Sequence, residues 1–451
     1  MDLQYHPLKP EEQEIRLFTI SPDWKMGCPI QGCLQTVSLK RAPNFEALSY
    51  VWGVDDATEP ITVDGTTFRV TPNLKEALHL LRHSYRQRVM WIDYICINQN
   101  DLKEKNSQVP LMGLIYTEAN RVISVLGGEP SLEVTRAVTW TERYIQRKIN
   151  KRTLFWWLLD IRSLFSERAR QLKYNAEADA FLGHTQIPRM PYWGRMWTFQ
   201  EYHLPKQEPT CICGFLSFRC SIIADEEKQR LMHALKDALL RTITSDSSSD
   251  LLLIKRNFDE DALKDSMQDC WDILSRESLE SPRLAHLLMK TSDRQCGNPL
   301  DKIYALYGLV PSIQQMYPPD YKKPLAHVIL ETTGYIIAHE SVRCLFMYYP
   351  SREDTLSNRA LPSWVPDYSK SRSASEVHRT FSLIDRDGSL KASPAECEIR
   401  VSPDQQLHLR ARAVGACKSL FRFDQKMRGM LDQIHKIFKM TDESWRAFCD
   451  R

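Results

Sequence analysis

The chain has 451 residues, 43% of them apolar and 26% charged, close to the soluble globular average and enough for a large core in two or three domains. Its 60 basic and 57 acidic residues leave a net charge of +3, without the basic excess of a nucleic-acid binder. No apolar run reaches the roughly 18 residues that span a bilayer, and the first residues lack a basic end followed by an apolar stretch, so a cytoplasmic protein is expected. In chain order, "EIRLFTI" (14–20), "GCLQTVSL" (32–39) and "FEALSYVW" (45–52) read as strands. "ITVDGTTFRV" (61–70) reads as a hairpin about Asp64-Gly65, because both central residues of a type I′ turn need positive φ. "TPNLKEALHLLRH" (71–83) reads as a helix capped by Thr71, with Leu74, Leu78 and Leu81 at helical spacing.

"RVMWIDYICI" (88–97) has the length and branching of a buried strand, and a helix to about Ala119 follows it. "RVISVLGG" (121–128) reads as another buried strand ended by its glycines. This alternation from 45 to 128 predicts parallel strands joined by crossover helices. Residues 132–185 read as a helical insertion, and "WGRMWTFQEY" (193–202) as part of a helix beginning after Pro191. In one helix, Trp193, Trp197 and Glu201 would share a face. "PTCICGFLSFRC" (209–220) reads as a strand or hairpin, and the polar stretch "TSDSSSD" (244–250) as a domain boundary. Helices at 301–310 and 324–339 and a strand at 407–415 follow. The cysteines, including Cys211, Cys213 and Cys220, lack the paired spacing and full ligand set of zinc, so no metal is expected.

Three blocks, "FEALSYVWG" (45–53), "MWIDYICINQND" (90–101) and "RMWTFQE" (195–201), resemble in this order the signatures of the fungal heterokaryon incompatibility (HET) domain. "LDKIYALYGLV" (300–310), "PPDYKKP" (318–324) and "LPSWVPDYS" (361–369) are similar to segments that follow such domains. Lys105 departs from the family's usual arginine, and Tyr202 from its usual aliphatic residue. The resemblance implies a role in non-self recognition, with cell death when incompatible strains fuse. It implies partnership with itself or with another incompatibility protein.

HET domains are in turn similar to TIR domains, many of which cleave NAD. The implied fold is α/β: a TIR-like (flavodoxin-like) parallel sheet with flanking helices, N-terminal hairpin strands and a mostly helical C-terminal accessory region. The expected divisions are N-terminal strands packing on the domain (1–44), the HET domain (45–222) and the accessory region (251–451). Plant TIR domains carry a tryptophan four residues before a catalytic glutamate, the spacing of Trp197 and Glu201 here.

A glutamate beside an indole loses solvation, which raises its pKa and suits it to chemistry. Cleaving the nicotinamide–ribose bond develops oxocarbenium character that a fixed carboxylate stabilises. Glu201 is the expected catalytic group and Trp197 the expected wall for the ring. Ligands bind outside the carboxyl ends of strands in open α/β sheets. Ser49, Tyr50, Trp52, Gly53, Asp93, Asn98, Gln99 and Arg195 are therefore expected to line the site. Asp93 and Asn98 serve equally as local turn caps, and Glu201 paired with Arg195 on a packed helix would do no chemistry. No Walker-type or G-x-G-x-x-G loop is present, so neither ATP hydrolysis nor hydride transfer is expected; the similarity to TIR domains implies NAD as a substrate, with no bound cofactor. The alternative is a non-catalytic adaptor, or a regulator that binds a nucleotide and acts by assembly.

Overall fold

The computed structural model describes residues 3–25, 27–53, 56–149, 183–220, 282–340, 361, 365–370, 399–401 and 407–409. Two compact units divide the chain, Met1–Pro282 with Arg294–Lys322, and Arg283–Asp293 with Lys323–Arg451.

The first unit is built on a nine-stranded mixed sheet. Its strands are β1 (Glu14–Ile20), β2 (Gln31–Ser38), β3 (Glu46–Tyr50), β4 (Glu59–Val63), β5 (Thr66–Val70), β6 (Arg88–Trp91), β7 (Arg121–Gly127), β8 (Thr210–Cys213) and β9 (Leu216–Phe218). They lie in the order β5-β4-β2-β1-β6-β3-β7-β8-β9. The centre is parallel: β3 pairs with β6 on one side and β7 on the other, and β7 pairs with β8. By order of appearance these four parallel strands stand second, first, third, fourth, so the strand order reverses between β3 and β7. Antiparallel pairs enclose this centre, so the sheet as a whole is mixed rather than parallel. β1 hydrogen-bonds along β6 and extends the sheet itself.

The helices of this unit are α1 (Pro72–Leu81), α2 (Asp93–Cys96), α3 (Leu102–Gln108), α4 (Met112–Glu118), α5 (Leu132–Ile149) and α6 (Trp197–His203). Thr71 caps α1 by accepting from the Leu74 amide at 3.3 Å, and the Asp64-Gly65 turn adopts the positive φ values (49° and 74°) expected of it. One core cluster joins Phe18, Ala47, Met90 and Val122 of the strands to Leu74 and Leu78 of α1 and Ile115 of α4. Each of these side chains larger than alanine contributes roughly 1.5–3 kcal/mol by leaving water. The segment Arg294–Lys322 belongs here too, contributing buried Ile303, Leu306 and Tyr307 and the helices α8 (Asp301–Tyr304) and α9 (Pro311–Met316). The expectation that all residues after 250 form an accessory region therefore changes for this segment.

Two local readings also change. The run 88–97 is a strand only to Trp91 and then turns into α2, whose Cys96 amide bonds the Ile92 carbonyl at 2.7 Å. Both halves are buried, and an apolar run this short does not distinguish strand from helix. The helix expected after Pro191 begins only at Trp197. Pro191–Gly194 is a 3-10 turn, and Arg195 is extended, forming a parallel bridge with Gln295. Met196 N donates to Gln295 O (2.8 Å) and Gln295 N to Gly194 O (2.6 Å), so a remote segment fixes the break. Trp193 consequently leaves the stripe and packs edge-on against Tyr192 and Tyr202.

In the second unit, α7 (Leu284–Lys290) has its first amides capped by the Glu340 carboxylate, to Ala285 N at 3.1 Å and to Leu284 N. Glu340 follows α10 (Leu325–His339), and the Lys323–Glu331 ion pair (2.7 Å) braces that helix. Strands β10 (Ile399–Val401) and β11 (Leu407–Leu409) pair with each other. The polar stretch 244–250, and 150–182 of the expected insertion, lie outside the described residues.

Candidate functional site

Where the strand order reverses, β3 and β7 run side by side with Ser49 opposite Ser124. Both are buried hydroxyls among the buried apolar residues Ala47 and Leu48 of β3 and Val122, Ile123 and Val125 of β7. Tyr192 joins them, its hydroxyl 2.8 Å from Ser49 Oγ and donating to Ser124 Oγ at 2.9 Å. Ser49 Oγ in turn donates to Glu201 Oε2 on α6. Glu201 is 1% exposed, and burial raises its pKa from 4.5 to about 7 despite the opposing charge of Arg195 and the Ser49 hydrogen bond. The nearby charge of Asp93 adds to the rise. Near neutral pH this carboxyl therefore divides between its neutral and charged forms.

A second polar layer adjoins the first. Trp52 Nε1 donates to Asp93 Oδ2 at 2.9 Å, and the Tyr94 amide to Oδ1 at 2.7 Å. Arg195 donates to the Tyr50 carbonyl, stands 3.8 Å from Asp93 Oδ2, and lies with its guanidinium carbon 5.0 Å from the Trp52 ring centroid. Burial raises the pKa of Asp93, against the lowering effect of Arg195 and of the Trp52 hydrogen bond. The Tyr50 hydroxyl is buried with no hydrogen-bond partner among the described residues, and burial drives its pKa well up. Gly53, just past the strand, has φ +84°, which disfavours any side chain there.

The structure thus brings Ser49, Tyr50, Trp52, Asp93, Arg195 and Glu201 together, although they span some 150 positions of sequence. Asn98 and Gln99 serve local geometry. Asn98 Oδ1 accepts from Asn100 N (3.2 Å), its amide donates to Glu104 Oε1 (2.7 Å), and Gln99 Nε2 donates to the Asp93 carbonyl (3.0 Å). Arg195 does not pair with Glu201 along a helix, because it precedes α6 and turns toward Asp93 and Tyr50. Cys96 is buried and its thiol is pushed up to about 12, far from thiolate chemistry.

Several residues of the site escaped the sequence reading. Tyr116, whose hydroxyl donates to the Leu48 carbonyl at 3.0 Å, lies beside Glu201. Tyr192 and Ser124 complete the hydroxyl chain, and Ser124 was legible as the polar residue within "VISVLG". Asp301 does not cap α8. Its carboxylate accepts instead from Tyr321 Oη at 2.7 Å. A separate cleft of about 330 Å³ opens at the end of β7, lined by Gly128, Pro130, Val134, Arg189, Met190 and Cys213. None of the residues described above lines it.

Residues 45–201 match the family described as Heterokaryon incompatibility protein (HET). The chain is 29% identical over 418 residues to "Heterokaryon incompatibility protein 6, OR allele" of Neurospora crassa, a match covering 82% of this chain and 60% of that relative. The chain thus spans about 60% of the length of the curated relative it matches. No solved structure matches.

Proposed function

Residues 45–201 of this chain are a heterokaryon incompatibility domain, and from that premise we propose that the protein is an incompatibility effector that triggers cell death by cleaving NAD at the nicotinamide–ribose bond. The observation that carries this reading is Glu201, a buried carboxyl with a pKa near 7 at the point where the order of the parallel strands reverses. In doubly wound sheets that crevice is where nucleotides bind. The second-first-third-fourth order of the parallel strands supports the TIR-like reading of the fold.

The chemistry is electrostatic. Nicotinamide leaves as a neutral base and the ribose carbon gains positive character, which the Glu201 carboxylate opposes at short range. Ser49 holds the carboxylate by donating to one oxygen. Arg195, which contacts the Tyr50 carbonyl, Asp93 and the Trp52 ring, would meet the diphosphate. Trp197, four residues before Glu201 on the same helix, offers the ring wall.

One observation favours a second reading. Glu201 is already covered, 1% exposed and hydrogen-bonded to Ser49, as a carboxyl kept only to fix the α6–β3 packing would be. In that case the domain is an adaptor that works by assembly. Nicotinamide release by the concentrated full chain separates the two. Glu201→Gln should lower that rate by roughly 10²–10³, the cost of removing one such electrostatic group, and cell killing should fall with it. A variant that folds, assembles and still kills makes the adaptor reading the correct one.

A further inference from the structure

The loop 21–30 joins β1 to β2, and the loop 82–87 joins α1 to β6. Ile20 pairs with Gly32 on one side and Arg88 on the other, so the two loops leave the sheet side by side. Glu46 opens β3 and Arg121 opens β7 in register with it, which makes this the amino end of the parallel strands. Ser49 and Tyr50 of the candidate site lie at the carboxyl end of β3. Hydrogen bonds staple the two loops together. Asp23 N donates to the His83 carbonyl at 3.2 Å, and Arg82 donates to the carbonyls of Cys28 (2.9 Å), Pro29 (3.2 Å) and Lys25 (3.3 Å). Each tip is also tied within itself, the Lys25 amide to Asp23 Oδ1 at 2.8 Å and the Tyr85 amide to His83 Nδ1 at 3.2 Å. A pinned tip loses little freedom when it binds.

From these tips project Trp24, 68% exposed, and Tyr85, 82% exposed. Exposed apolar side chains scattered singly are ordinary; here two aromatic rings stand on neighbouring, stapled loops among cations. Lys25 Nζ is 5.3 Å from the Trp24 ring centroid, and Arg86 is exposed beside Tyr85. Asp23, a carboxylate between the loops, has its pKa lowered first by the Lys25 amide and further by the charge of Arg82. At the strand starts, Arg88 and Arg121 share the carboxylate of Glu46, which leaves one positive charge over. Glu118 nearby is matched by Lys206 at 2.9 Å. Cations therefore outnumber carboxylates on this face.

We propose that this end of the sheet docks on an anionic lipid bilayer, with Trp24 and Tyr85 entering the headgroup layer while Lys25, Arg86 and Arg82 meet the negative lipid heads. The degree of exposure favours a bilayer over a folded partner. A protein would need a preformed pocket for each projecting ring, whereas the headgroup layer yields around both. Indole and phenol rings settle at that depth because each joins an apolar body to one polar tip. The cations beside them are held by the negative surface potential, each strengthening binding by about five-fold. The carboxyl ends of the strands, and the candidate site with them, then face away from the bilayer. The proposal is independent of any chemistry at Glu201.

The test is flotation of the full chain with vesicles of phosphatidylcholine alone and of phosphatidylcholine mixed with phosphatidylserine, at low and at high salt. At low salt, partition onto the mixed vesicles should exceed that onto plain ones by about ten-fold or more, and it should fall at high salt as the charges are screened. Lys25→Glu with Arg86→Glu should remove most of the binding. Lys40→Glu with Arg41→Glu makes the same change in net charge just beyond β2, at the far end of the sheet. That pair should leave binding within about two-fold, because exposed charges beyond a screening length contribute little. Trp24→Ala with Tyr85→Ala should lower partition about ten-fold through lost apolar contact. All six positions are exposed, and an unchanged melting transition checks that each variant folds. The proposal falls if plain and mixed vesicles bind alike, if neither binds, or if the two charge reversals weaken binding equally. Binding to polyglutamate without binding to vesicles would overturn it in favour of an acidic protein partner.

Discussion

Ser49 and Glu201 lie 152 positions apart in sequence, and the Ser49 hydroxyl donates to the Glu201 carboxyl in a fully buried setting. The bond favours the charged carboxylate and so opposes the effect of burial. It also connects the carboxyl, through Tyr192, to Ser124 on the neighbouring strand.

If the charged carboxylate is the active form, nicotinamide release should rise with pH to a plateau, with a midpoint near the Glu201 pKa of about 7. Ser49→Ala removes the donor, disfavours the charged form, and should move that midpoint to higher pH. The expected stability cost is about 1–3 kcal/mol for leaving a buried acceptor unsatisfied. A midpoint that stays in place, or moves down, would separate Ser49 from the titration of Glu201.

The same pKa links stability to pH. The folded value, about 7, lies above the ordinary 4.5, so the folded state holds the proton more tightly than the unfolded chain. Stability from this group is fully present below about pH 4.5 and is lost as pH rises through 7, by roughly 3 kcal/mol in all. Burial raises Asp93 as well, with the same sign. Urea denaturation at a series of pH values should show the decline, and Glu201→Gln should flatten the part that Glu201 contributes.

Arg16 and Glu104 form a buried, two-pronged pair at 2.6 and 2.9 Å, with side-chain exposures of 3% and 8%. The pair ties β1 to α3, and Glu104 also accepts the Asn98 amide. Arg16→Ala alone should cost about 3–5 kcal/mol, because it strands a buried carboxylate. Replacing both partners with methionine should cost much less, which a double-mutant cycle in denaturant would measure.

Gly113 of α4 and Gly308 meet back to back, a Cβ built on Gly113 falling 2.9 Å from the Gly308 Cα. Backbone faces backbone there, so a small rotamer adjustment does not relieve the clash. Gly113→Val should destabilise the first unit by about 1–3 kcal/mol or more. By the same reasoning, a fragment ending at residue 222 lacks buried Ile303, Leu306 and Tyr307. It should melt without cooperativity, and regain a sharp transition when residues 294–322 are supplied as a covalent extension.

Elements with local causes were legible in the chain's own residues. Period-two and buried apolar runs marked β1, β3 and β7, Asp64-Gly65 marked its turn, and Thr71 with its leucines marked α1, because backbone sterics and side-chain periodicity act within a few residues. The sequence also marked the blocks containing Ser49, Asp93 and Glu201, and the alternation that makes β6, β3 and β7 parallel neighbours. Tertiary structure decided the rest. The break before Trp197 depends on a bridge to Gln295, a hundred residues away, which no local propensity encodes. β1 and β2 joined the sheet because an exposed strand edge gains hydrogen bonds from whichever strand reaches it, and strand pairing is not written in periodicity. The pKa of Glu201 near 7 is likewise a property of burial, set by how completely β3, α4 and α6 exclude water from a carboxyl that the sequence shows only as one glutamate among many.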